Sequence, residues 1–121
     1  MINKNQTQTI SGIVVMGQNK GPQTGAHTAN LDLSLVKNLS RGLYSCSVEL
    51  HDKTYLGLLY YGHNSLSQKD CLEVHILNFY QDIYGQKIEV AIKKFLRPEK
   101  KFNSIEELKK QIKKDLEMIK K

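Results

Sequence analysis

The 121-residue sequence predicts a mainly β domain, a small antiparallel barrel or sandwich with a single C-terminal helix over its open end or flank. Two patterns carry this expectation. From Gly42 to Leu50 and again from Cys71 to Phe79, apolar and polar residues alternate with the period of two that a half-buried strand requires, and turn-forming residues separate such runs at short intervals. After Pro98 the period changes. Ile105, Leu108, Ile112, Leu116 and Ile119 recur every three or four residues among lysines, as in an amphipathic helix.

The elements follow in order. Thr9 to Met16, rich in Ile and Val, reads as a first strand ending at Gly17, and a loop with Gly17, Gly21 and Gly25 at four-residue spacing follows it. Leu31 to Leu39 fits neither period and is read as a covering segment. Gly42 to Leu50 places Tyr44, Cys46, Val48 and Leu50 on one side; His51, Asp52 and Lys53 then turn the chain into Thr54 to Tyr61, so the two runs form a hairpin. A loop from Gly62 to Asp70 leads to the strand Cys71 to Phe79, with Leu72, Val74 and Ile76 opposite Glu73, His75, Leu77 and Phe79. Asp82, Tyr84 and Gly85 turn the chain into a fifth strand, Lys87 to Leu96. The helix is expected over 104–120, opened by Ser104 and Glu107 in the spacing of a capping box, with residues 1–8 as a flexible N-terminus.

Composition narrows the function classes. A chain of this length makes one domain, 1–121. No apolar run approaches the roughly 20 residues of a membrane span, and the polar start does not resemble a signal peptide, so a cytoplasmic protein is expected. Cys46 and Cys71 lack metal-ligand spacing and are read as reduced, partly buried thiols. Eleven basic and five acidic residues lie between Lys93 and Lys121, and the whole net charge of +6 is therefore C-terminal. Acidic residues interleave with the helix lysines and no aromatic residue does, which weakens a nucleic-acid reading of that charge.

Three features carry possible chemistry. The glycine loop runs into Gly25-Ala26-His27-Thr28-Ala29-Asn30, where backbone amides unobstructed by β-carbons suit phosphate and Lys20 adds charge; a plain surface loop has the same composition. If the chain is extended there, Thr28 and Asn30 face one side and offer oxygens to a hard cation such as Mg²⁺, although either is equally a turn former. Glu73 is a carboxylate within an apolar strand, fit for a general base at a barrel mouth or for an outward-facing solvated position. His75, on the same face, is read as structural. Arg97 and Phe102, either side of Pro98, could clamp a planar ligand, or Phe102 could tuck into the core.

In this order the pieces resemble the riboflavin kinase family, including the kinase module at the C-terminus of bacterial bifunctional FAD synthetases. The resemblance rests on the glycine loop running into Gly25-Ala26-His27-Thr28-Ala29-Asn30-Leu31, on Glu73-Val74-His75-Ile76-Leu77-Asn78-Phe79, on Asp82-Ile83-Tyr84-Gly85, on Phe95-Leu96-Arg97-Pro98-Glu99-Lys100-Lys101-Phe102, and on the helix from Ser104 to Asp115. It implies a six-stranded antiparallel Greek-key β-barrel with a C-terminal α-helix, and Mg²⁺-dependent transfer of the ATP γ-phosphate to the ribityl 5′-hydroxyl of riboflavin, giving FMN and ADP. Carried over position by position, it implies Thr28 and Asn30 as metal ligands and Gly17, Lys20, Gly21, Gly25, His27, Thr28 and Asn30 around the nucleotide. Glu73 matches the catalytic base, and Glu73, Leu96, Arg97, Glu99 and Phe102 are implied at the flavin. Ala26-His27 departs from the family's Phe-Pro before Thr-Ala-Asn, Gly62-His63-Asn64-Ser65-Leu66 from an Arg-Pro-Thr element, and Asn78 from a common aspartate. The expected partners are small molecules, with no nucleic acid and no membrane, and the expected state is a monomer that does not synthesise FAD. The alternatives are a flavin- or nucleotide-binding barrel without efficient turnover and, more weakly, a basic RNA-binding barrel.

Overall fold

A computed structural model describes residues 8–15, 26–79 and 81–119. Gly17, Lys20, Gly21 and Gly25 lie outside them. Six strands, β1 (Gln8–Ile13), β2 (Ala26–Leu31), β3 (Gly42–Leu50), β4 (Lys53–Asn64), β5 (Lys69–Leu77) and β6 (Lys87–Arg97), precede one helix, α1 (Ile105–Ile119). All pairings are antiparallel, in the order β1-β6-β3-β4-β5-β2. The two outer strands meet: Val15 N–H donates to Asn30 O at 2.8 Å just beyond the end of β1, which curls the sheet into a barrel.

Local chemistry explains the turns. His51 and Asp52 both have positive φ, 53° and 63°, so a two-residue turn joins β3 to β4 with the backbone twist that suits a right-twisted hairpin. At Ser45 the β3–β6 ladder shifts register, and the Ser45 hydroxyl takes up Lys94 N–H at 3.1 Å. Gly42 opens β3 at φ +150°, where a β-carbon would stand 2.5 Å from Arg97 O, so only glycine lets the two backbones approach this closely. The start of α1 has the anticipated cap: Glu107 N–H donates to Ser104 Oγ at 3.3 Å, while the Glu107 carboxylate reaches back to Asn103 N at 3.5 Å rather than to Ser104 N.

Two apolar clusters form. The barrel interior holds Tyr44, Cys46, Val48, Leu59, Leu72, Val74, Ile76, Ile88, Val90 and their neighbours. Outside it, α1 lays Ile112 and Leu116 on Leu43, Leu58 and Leu77. The helix therefore covers a flank of the barrel and not its open end.

Three expectations need correction, and one segment gains detail. The segment before Leu31 is a strand, β2, which lacks the apolar alternation that would announce it because its neighbours in the sheet and not its own residues hold it extended. The covering segment beyond it holds a short 3₁₀ turn, Leu33–Leu35, capped by the Asp32 carboxylate on Ser34 N at 2.8 Å. Gln8, assigned to the flexible N-terminus, begins β1 opposite Ile92. Phe79 does not share a face with Glu73: Asn78 adopts a left-handed φ of 57°, and beyond it Phe79 turns into the interior, edge-on to Tyr55 at 5.0 Å between ring centres.

Candidate active site on the barrel flank

Register assembles the site. On β5, Glu73 pairs with Asn30 of β2 on one side and with Tyr60 of β4 on the other; two residues along, His75 pairs with Thr28 and with Leu58. Side chains at paired positions share a face, so Thr28, Asn30, Glu73 and His75 form a square on the outer surface of the barrel. Glu73, expected at the barrel mouth, lies instead on the flank, in the cleft beside α1. That cleft encloses about 440 Å³ including its open mouth, and its walls include Tyr60, Asn64, Glu73, His75, Arg97 and Phe102.

Within the square, Thr28 Oγ1 and His75 Nδ1 are hydrogen-bonded at 2.9 Å, and His75 Nε2 lies 4.0 Å from Glu73 Oε1. Both residues of β5 are buried. Burial raises the Glu73 carboxyl above its ordinary range, while hydrogen bonds from the Cys71 thiol and the Asn64 side chain pull in the opposite direction. Burial also lowers the His75 imidazole to about 4, opposed by the Asp115 carboxylate and assisted by the Arg97 guanidinium. A carboxylate raised in this way, at the edge of a cleft, is suited to accepting a proton.

The opposite wall is an ion pair. Arg97 donates to both carboxylate oxygens of Asp115, Nε to Oδ1 at 3.2 Å and Nη2 to Oδ2 at 2.8 Å, and Gln111 adds a third bond to Oδ1 at 3.0 Å. Asp115 is fully buried. Sequence reasoning missed it, yet a signal was present: it continues the stripe Leu108, Ile112, Ile119 and is the acidic residue in it. Asn64, Cys71 and Ser65 were missed as well, and nothing in their spacing marks them. Ser65 Oγ accepts from Phe102 N at 2.8 Å and donates to Phe102 O at 2.9 Å, tying the β4–β5 turn to the segment that follows β6.

The remaining expected residues divide. Phe102 stands on the cleft with Arg97, but Leu96 packs on the helix-facing cluster and borders a different groove with Met118 and Ile119. Glu99 is at the lip, where its carboxylate accepts from His63 N at 2.9 Å. Beside it, Arg41 grips Asp70 with bonds of 3.2 and 2.8 Å. His27 pairs with Ile76 in the β2–β5 ladder.

A family model for riboflavin kinase (Flavokinase) matches residues 4–121. The chain belongs to the riboflavin kinase family. It is 42% identical over 111 residues to a trifunctional protein, RibF/MnmA, of Mycoplasmoides gallisepticum, covering 88% of this chain and 17% of that protein. It is 36% identical over 113 residues to the RNA-binding riboflavin kinase RibR of Bacillus subtilis, covering 91% of this chain and 49% of the relative. The chain thus spans less than half the length of these two relatives. A crystal structure titled macrolide-efflux protein from Streptococcus pneumoniae superposes with a TM-score of 0.75 at 33% identity, covering 90% of this chain and 37% of that one. Riboflavin kinase from Trypanosoma brucei, at 20% identity and a TM-score of 0.63, covers 93% of this chain and 77% of its own and shares the fold.

Family membership raises the question of a divalent cation, and the donor chemistry suits one. The Thr28 hydroxyl and the Asn30 amide oxygen are hard, neutral oxygens on one face of β2, fitting Mg²⁺ that takes its remaining ligands from phosphates and water. Among the described residues no group of three or more His, Cys, Asp or Glu side chains gathers as a metal site.

Proposed function

We propose that this chain is a Mg²⁺-dependent riboflavin kinase, transferring the ATP γ-phosphate to the ribityl 5′-hydroxyl. The observation that carries the reading is the buried Glu73 carboxylate, facing a cleft and paired in register with Asn30. Glu73 takes the proton of the 5′-hydroxyl as that oxygen bonds to the γ-phosphorus; the bond from phosphorus to the bridging oxygen breaks, and ADP leaves with its electron pair. Thr28 and Asn30 would hold Mg²⁺, which would neutralise phosphate charge. Arg97 and Phe102 bound the isoalloxazine end of the cleft, with Leu96 behind them and Glu99 at the lip. Gly17, Lys20, Gly21, Gly25 and His27 are assigned to the nucleotide by the family resemblance alone. Positioning and charge neutralisation supply most of the rate in such a transfer, with one base for the hydroxyl.

The test is direct. Purified protein is incubated with riboflavin, ATP and Mg²⁺, and flavins are separated by chromatography with fluorescence detection. FMN appearing only with all three, and abolished by EDTA, supports the kinase; riboflavin bound without FMN under ATP, GTP or CTP replaces it with a flavin-holding barrel.

A further inference from the structure

We propose that His75 is a positioning residue that aims the Thr28 hydroxyl at the cation and phosphates. The inference rests on Thr28 having the role given above. His75 is only 4% exposed, and its strand neighbours on the same face are Glu73 and the apolar Leu77 under the helix. An apolar side chain would fill this place without the cost of burying an imidazole, so the ring needs a reason that packing does not provide.

The geometry supplies one. The ring spans two partners, Thr28 at Nδ1 and Glu73 beyond Nε2. At 4.0 Å the carboxylate is past hydrogen-bond length but close enough to favour a proton on the nitrogen that faces it. With the proton on Nε2, Nδ1 is bare and accepts the Thr28 O–H, which turns the hydroxyl proton inward and leaves both oxygen lone pairs to face outward. The other tautomer would aim a lone pair at the carboxylate and spend one Thr28 lone pair on Nδ1–H. Partners that orient a ligand from behind in this way typically tune affinity by about 10- to 100-fold.

Two measurements decide it. In ¹⁵N-histidine-labelled protein, long-range ¹H–¹⁵N correlation, assigned by the signal lost in His75→Asn, is expected to show His75 protonated at Nε2; protonation at Nδ1 overturns the proposal without touching the kinase reading. Calorimetry with Mg²⁺ and ADP, with the thermal midpoint as the folding control, is expected to show binding weakened about 10-fold or more in His75→Leu. His75→Asn, whose Oδ1 takes the place of Nδ1, should restore it to within a few-fold. Thr28→Val combined with His75→Leu should bind no more weakly than Thr28→Val alone, because a residue acting through Thr28 has nothing left to position. Additive losses, or a His75→Leu protein that binds normally, overturn the proposal while Thr28 keeps its role. Unchanged binding in Thr28→Val overturns both.

Discussion

The two faces of β5 are equally buried and serve opposite ends. Leu72, Val74 and Ile76 point into the barrel and join its apolar core. Glu73 and His75, on the other face of the same strand, are covered by a cleft and a helix while they carry a carboxylate and an imidazole. Burial favours folding on the first face and opposes it on the second, where each ionisable group is displaced from its ordinary range by lost solvation. Such a strand holds the functional groups rigidly because its inner face is locked.

The largest effect that sharpens this contrast is expected at Glu73. Glu73→Gln should lower the rate of FMN formation by roughly 10² to 10⁴ while riboflavin affinity stays within a few-fold. Its thermal midpoint at neutral pH should match or exceed that of the parent, since a carboxyl raised by burial makes the ionised form a burden above its ordinary pKa. A rate unchanged in Glu73→Gln would break the contrast outright.

On the inner face the effect should reverse. Ile76→Ala is expected to cost about 2–5 kcal/mol in denaturant titrations by opening a cavity, with the kinetic constants of the folded fraction little altered. Asp115→Asn tests the far wall. Removing the charge from a fully buried partner of Arg97 should cost on the order of 3 kcal/mol and should also weaken riboflavin binding, read by fluorescence quenching; normal binding would separate the ion pair from the cleft's function.

The smallest effect is a pH slope. His75 in the folded protein is held at about 4, below its ordinary value, so its contribution is complete above about pH 6.5 and is lost as pH falls toward 4, when the unfolded chain takes up the proton first. Acid should therefore lower the denaturation midpoint across that window, and His75→Leu should flatten the slope. Glu73 works with the opposite sign, so the slope should steepen in Glu73→Gln.

Much of this was legible beforehand. The alternation of Gly42 to Leu50, the turn expected at His51 to Lys53, which closes one residue shorter, and the stripe of α1 depend on near neighbours, and each of these lies within a few residues of its expected bounds. Thr28, Asn30, Glu73 and Arg97 were all named from the chain and from the family it resembles. Leu96 was also named; it packs on the helix-facing cluster and borders the groove with Met118 and Ile119. Asp115 was hidden among the charges of a lysine-rich helix, where it is fully buried.

The sequence by itself determined periodicity, the turns, the helix cap and the identity of the side chains able to hold phosphate or accept a proton, because these follow from interactions between residues close together in the chain. Tertiary structure decided the rest. Ala26–Leu31 became a strand because β5 offered it a ladder, and the register of that ladder set Thr28 against His75 and Asn30 against Glu73 across more than forty residues of chain. It also placed α1 on the flank, which turned an alternating strand into one buried on both faces. Pairing and closure are long-range choices made by summed burial over the whole barrel, and no local window of sequence contains that sum.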